Sequence, residues 1–178
     1  MITELQQSYK VDLYPDYLIQ VALCNNVTNT SYLREKCLKG EFNCAILSTA
    51  LIPDIFPVLI SCNKSVHCFT ESSMKTRNIH TEIMLNLSSS NSIKDSLKLF
   101  GANDTDSKLL FVMVSKKEEQ DKFCEILNEI KGNFVVVSEL SNMCDYNSTK
   151  KHYKISDDEL SASNFKNAIS MRIASKDV

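Results

Sequence analysis

The chain of 178 residues sets 20 Lys and Arg against 22 Asp and Glu, for a net charge of −2, and is 43% apolar with only three glycines. At this length folding buries roughly 70% of the surface the unfolded chain exposes, so a core forms without metal or disulfide staples. The charge balance excludes nucleic-acid binding through a global basic excess and leaves only a local patch, and the scarcity of glycine speaks against a glycine-rich phosphate cradle.

In chain order, Tyr17 to Leu23 is an aromatic and aliphatic run that predicts a buried strand. Ser31 to Lys39 reads as a short helix stopped by Gly40, with Leu33, Cys37 and Leu38 on one side. Phe42 to Ile52 is apolar throughout, and its pattern fits helix and strand equally. Asp54 is an N-cap candidate for a helix over 54–70, where Val58, Leu59, Cys62, Val66 and Phe69 recur at helical spacing. A hydrophilic break over 71–75 precedes an amphipathic helix from Thr76 to Leu87. A second short helix, Ser92 to Phe100, ends at Gly101 in the position of a C-cap glycine.

Leu109 to Val114 is the clearest strand, short and fully apolar. Lys117 to Lys131 predicts a helix burying Phe123, Ile126, Leu127 and Ile130 and ending at Gly132. Phe134 to Val137 is a strand candidate and Asp145 to Tyr153 a short helix. Asp157 and Asp158 open a last helical run that continues through Leu160, Phe165, Ala168, Ile169, Arg172 and Ile173. No repeat or linker divides the chain, and helices alternating with a few strands predict one mixed α/β domain over residues 1–178.

Seven cysteines form no C-x-x-C pair, and no His stands at zinc-finger distance from two of them. With no apolar signal-peptide core in the first sixteen residues, reduced thiols in the cytosol or nucleus are expected. No apolar run reaches the roughly 18 residues of a membrane span. Nucleophile elbow, P-loop, dinucleotide fingerprint and metalloprotease motif are all missing. The one enzymatic alternative is a thiol chemistry using Cys62 or Cys68 with His67. It requires a depressed thiol pKa in an accessible cleft, whereas sequence neighbours on a helix point in different directions.

The stretch from Asn63 to Leu87 instead concentrates Lys64, His67, Lys75, Arg77 and His80. Lys75, Arg77 and His80 fall at the break and first turn of a helix, where backbone N–H groups add positive potential suited to phosphate. The last helix offers a second surface: a terminal amphipathic helix packs on its own domain by default, and becomes a docking face if part of its stripe stays exposed.

Asn63-Lys64-Ser65-Val66-His67, Met74-Lys75-Thr76-Arg77, Thr81-Glu82-Ile83 and Asn86-Leu87-Ser88 together resemble the PRPK-binding protein family, the small kinase-binding subunit of the KEOPS (EKC) complex. The likeness runs from Asp12-Leu13-Tyr14-Pro15 through Phe100-Gly101 to Tyr153-Lys154 and the closing Ser175-Lys176-Asp177-Val178. The stretch from Lys116 to Met143 departs most from it. The resemblance implies a mixed α/β fold with helices around a central, mostly antiparallel sheet. It also implies a non-catalytic subunit, without cofactor or metal, that binds the PRPK/Bud-type atypical kinase. Through that kinase it would join the Kae-type threonylcarbamoyl transferase and the other subunits, and would help engage the 3′ end of tRNA for N6-threonylcarbamoyladenosine synthesis. Carried onto this chain, the tRNA contacts are Lys75 and Arg77 with Lys64 and Asn86. The kinase contacts are Phe165, Ala168, Ile169, Arg172 and Ile173. His80 inherits no role. Cytoplasmic and nuclear localisation follows from the same likeness.

Overall fold

In the computed structural model, which describes residues 5–176, five strands form one antiparallel sheet. They are β1 (Gln7–Lys10), β2 (Tyr17–Asn25), β3 (Ala45–Ser48), β4 (Leu109–Lys116) and β5 (Asn133–Val135). Residues 1–4 of the N-terminal segment and Asp177 and Val178 of the closing series lie outside the described residues. β2 and β4 form the centre, paired from Tyr17 opposite Lys116 to Cys24 opposite Leu109. β3 flanks β4, while β1 and β5 share the other edge of β2, β1 along Leu18–Val21 and β5 along Leu23–Asn25.

Alternate side chains of a strand point to opposite faces, and here both faces are covered, so β2 and β4 read as unbroken apolar runs. Ile19, Val21, Leu23, Leu110, Val112 and Val114 feed one core. Ala22, Cys24, Phe111 and Met113 feed the other. The first core is roofed by α2 (Ile55–Thr70), α3 (Ile79–Leu87) and α9 (Phe165–Ala174). The second lies under α1 (Thr30–Leu38) and α5 (Asp121–Asn128). The remaining helices among the described residues are α4 (Ile93–Phe100), α6 (Leu140–Met143), α7 (Tyr146–Tyr153) and α8 (Asp157–Ala162).

Local chemistry accounts for most boundaries. Asp54 caps α2, its Oδ1 accepting the Phe56 N–H at 2.8 Å, and Asp145 caps α7 through the Ser148 N–H at 3.1 Å. The ambiguous run after Phe42 resolves into β3 and a 3-10 turn over Thr49–Leu51. The predicted helix over 117–131 shortens to α5 behind a 3-10 turn, with the four expected side chains buried.

Of the predicted glycine caps, Gly101 does end its helix, its N–H donating to the Leu97 carbonyl oxygen at 2.9 Å, while Gly132 lies past the end of α5. Gly101 has φ −70° and sits where a Cβ would lie 2.6 Å from the Leu97 carbonyl oxygen. It is there for close approach, as it bridges to Leu47 of β3. Gly132 likewise admits Asn25, whose carbonyl oxygen a Cβ would meet at 3.0 Å. Of the three glycines, Gly40 alone takes the left-handed conformation, at φ +75°.

The run predicted as one C-terminal helix is two. Ser163 and Asn164 are extended, and Asn164 starts α9 by accepting the Asn167 N–H at 2.9 Å. Some of the stripes differ too. Leu38 stands out in solvent rather than with Leu33, and Phe69 is half exposed beside Tyr17.

Candidate functional site: a cationic step and a terminal helix

α3 begins at Ile79, three residues later than the apolar spacing predicts. The segment before it is an ordered loop organised by one carboxylate. Glu82, in the first turns of α3 and only 2% exposed, accepts the Lys75 N–H at 3.2 Å, the Thr76 N–H at 2.8 Å and the Thr76 hydroxyl at 2.6 Å. A buried carboxylate is tolerated there because its oxygens are satisfied by donors and it lies near the positive end of the helix. Asn78 caps α3 by accepting the Thr81 N–H at 2.8 Å. Glu82 and Asn78 thus fix the backbone on both sides of the Lys75–Arg77 step, and both cationic residues are exposed. Apolar spacing does not single out Glu82, although a carboxylate in a helix's first turns is a signal for reaching back to the preceding loop.

Immediately beyond Arg77, Asn78 and Thr81 form one wall of a cleft of about 470 Å³. Arg34, Phe42, Cys44 and Leu97 line its other sides. Arg34 is ion-paired with Asp104 across the mouth of α1. Arg34 is the Lys or Arg among its lining residues, and the ion pair with Asp104 offsets that charge, so the cleft is mixed in polarity.

The rest of the predicted patch separates from this step. His80 is buried, and its Nε2 accepts the Val114 N–H at 3.1 Å. Burial pushes its pKa down to about 4, so it is a neutral structural acceptor in the sheet. Asn86 is buried between α2 and α3, with its Nδ2 donating to Ser65 Oγ at 2.9 Å. The placement of Asn86 on an RNA-facing surface is therefore corrected: an amide this short on an inward helical face is consumed by the helix interface. Lys64 turns toward α9, its Nζ donating to the Ile173 carbonyl oxygen at 3.3 Å. His67 bonds through Nδ1 to the Tyr14 hydroxyl at 2.6 Å.

The predicted stripe of α9 faces inward. Ala168, Ile169 and Ile173 are buried in the core shared with α2, and Ile169 is 0% exposed. As an exposed docking stripe those three residues are corrected, because each isoleucine gains about 2 kcal/mol by leaving water for the core. Arg172 is committed as well. Its guanidinium grips Glu159 of α8 through two parallel bonds of 2.6 and 2.7 Å and donates to the carbonyl oxygens of Lys154 and Ala168. The guanidinium beside it pulls the Glu159 pKa below the usual carboxylate value.

The outward face of α9 is a different set of side chains. Asn167, Met171 and Ala174 recur at helical spacing and are exposed, with Met171 at 70%. At its N-terminal end the half-buried Phe165 meets the exposed Tyr146 edge to face, 5.3 Å between centroids, and Lys166 lies over the exposed Phe56. Of the five residues predicted for kinase contact, only Phe165 borders this outer surface.

The thiol alternative loses its first candidate. Cys62 is fully buried and burial drives its pKa up, the reverse of what a nucleophile needs. His67 makes no hydrogen bond to Cys62 or Cys68 among the described residues, being engaged by Tyr14.

Comparison with known proteins adds an independent line. Residues 24–177 match the family model described as kinase binding protein CGI-121. The chain is 33% identical over 168 residues to the EKC/KEOPS complex subunit TPRKB of Danio rerio, an alignment spanning 94% of this chain and 96% of that protein. It is 29% identical to the EKC/KEOPS complex subunit cgi121 of Aspergillus fumigatus, over 77% of this chain and 76% of the relative. A similar subunit of Schizosaccharomyces pombe shares 26% identity over 80% and 85% of the two chains.

Proposed function

Because this chain belongs to the CGI-121 family of kinase-binding proteins, we propose that it is a non-catalytic subunit of a KEOPS-type complex. It holds the PRPK/Bud-type kinase on the outer face of α9 and the single-stranded end of tRNA on the Lys75–Arg77 step. The observation that carries the first half is the exposed Met171 on a helix whose Ala168, Ile169 and Ile173 are spent inside. Interfaces are enriched in Met and aromatic residues, and Phe165, Tyr146 and Phe56 supply the latter at the same end of the domain.

Met171→Glu tests it. The side chain is already in water, so folding stability is expected to shift by less than about 0.5 kcal/mol. Affinity for the kinase is expected to fall by about 5- to 150-fold, the loss of one buried apolar anchor costing about 1–3 kcal/mol. Full retention of the kinase would remove α9 as the docking face.

For RNA, the support is geometric and electrostatic. Lys75 and Arg77 are exposed on a segment whose backbone Glu82 and Asn78 fix, next in sequence to the Asn78 that lines the cleft, and Arg adds stacking to charge. Lys75→Glu/Arg77→Glu is expected to leave the fold intact and weaken tRNA retention. The plot of log Kobs against log salt should become shallower by about 1.4, since each single-strand phosphate that goes unneutralised removes about 0.7 from the slope. An unchanged slope would take RNA off this step. The free thiols of all seven cysteines suit a reducing compartment, the cytosol or the nucleus.

A further inference from the structure

We propose that Cys37 and Cys44 form a redox modification site, a dithiol that closes to a disulfide under peroxide and ties down the loop between them on the wall of the cleft. This inference stands apart from the RNA reading, since it rests on the two thiols alone. Cys37 ends α1 and Cys44 precedes β3, and the chain between them folds back on itself. The Gly40 N–H donates to the Cys37 carbonyl oxygen at 3.1 Å, and the Glu41 and Phe42 N–H groups donate to the Lys36 carbonyl oxygen at 3.0 and 3.3 Å. That turn brings the Cys37 thiol to 3.7 Å from the Cys44 carbonyl oxygen, and both residues line the same cleft.

The two thiols are unequal in a useful way. Cys37 is half-buried at the cleft, and hydrogen bonding with Cys44 lowers its pKa. Cys44 is buried, and hydrogen bonding with Cys37 together with burial raises its pKa. An accessible thiol of greater acidity beside a sheltered partner is the arrangement of an attacking and a resolving cysteine. Around Gly40 a Cβ would meet nothing within 4 Å, so the loop has room for the small shift that an S–S bond of about 2 Å demands.

The chemistry balances with peroxide as the oxidant. The Cys37 thiolate attacks one peroxide oxygen, an S–O bond forms, the O–O bond breaks, and the departing oxygen takes up a proton to leave as water. The Cys44 thiol gives up its proton, and its sulfur attacks the Cys37 sulfur. The S–O bond breaks and a second water leaves. The sulfurs together lose two electrons and the peroxide gains them.

The other thiols lack this geometry. Burial pushes Cys24 up to about 12 and raises Cys62 further, and it also raises Cys144, whose thiol pairs with Thr149. Cys124 is engaged with Gln6.

The test treats the full chain with one equivalent of hydrogen peroxide and digests it with trypsin without reductant. Cleavage at Lys36, Lys39 and Lys64 leaves Cys37 on the peptide Cys37–Lys39 and Cys44 on Gly40–Lys64. The expected product is these two peptides linked through Cys37 and Cys44, with loss of two hydrogen atoms from the intact mass. Amide exchange over 38–43 should become slower than in the reduced protein. Cys37→Ser should abolish both changes. In wild type, phenylarsine oxide, which requires two adjacent thiols, should bind in a one-to-one ratio and block the linkage. Consumption of Cys68 or Cys124 before the link forms, Cys37 trapped as sulfinic acid without a partner, or failure of the arsenical to bind would each overturn the proposal.

Discussion

Ile169→Glu is expected to abolish cooperative folding. The side chain it replaces is 0% exposed, in the core that α9 shares with α2 and the sheet. A carboxylate there has no donor to satisfy it, and an unpaired charge in an apolar site costs about 4 kcal/mol or more, a large part of what a domain of this size has to spare. Urea denaturation checks it: the variant should show no native baseline, or a midpoint displaced to a small fraction of the wild-type value. Kinase binding would also vanish, through unfolding rather than through damage to the docking face. Only the contrast with Met171→Glu separates the two causes. A variant that melts like wild type would mean that α9 does not bury this face.

Glu82→Ala is expected to carry the second largest effect. It removes the acceptor of three hydrogen bonds and leaves the Lys75 and Thr76 N–H groups without this partner, while the Thr76 hydroxyl keeps the Asn78 carbonyl oxygen at 3.0 Å. Stability should fall by about 2–3 kcal/mol, the loss of hydrogen bonds from part-buried donors to a charged acceptor. The functional consequence is more telling. Lys75 and Arg77 keep their charges but lose the fixed backbone that presents them, so tRNA retention should fall with little change in the salt slope. Glu82→Gln keeps the shape and one carbonyl acceptor, and should recover part of both losses. Wild-type retention in a folded Glu82→Ala protein would show that charge alone, without orientation, holds the RNA.

How far the fold could be read from the chain depended on where its signal was local. The strands β2 and β4 announce themselves because both their faces are buried, and Asp54 and Asp145 announce α2 and α7 because a cap needs only its own helix. β1 left no trace: Gln7, Ser8 and Lys10 are exposed on an edge strand, and nothing in their polarity alternates toward a core. The division of α8 from α9 rests on Ser163 and Asn164, whose extended backbone serves a corner that no periodicity encodes.

The site was legible in part for the same reason. Lys75 and Arg77 stand out as cations at a break, and the structure keeps them exposed. Asn86 and Arg172 look equally available in the sequence, but Ser65 and Glu159, twenty-one residues before and thirteen residues before them, consume them in the fold. The apolar stripe of α9 shows its helical phase clearly. Which way that phase turns is decided by α2, over a hundred residues earlier, and the stripe turns inward, leaving Met171 outside.

On the proposed reading, the kinase is held by the outer face of α9. Amide hydrogen exchange, measured on the full chain alone and with saturating purified kinase, tests it most directly. Slowed exchange is expected over 165–174, with the α5 side of the sheet unchanged. Protection confined to α1 and α5, with 165–174 exchanging as in the free protein, would contradict it.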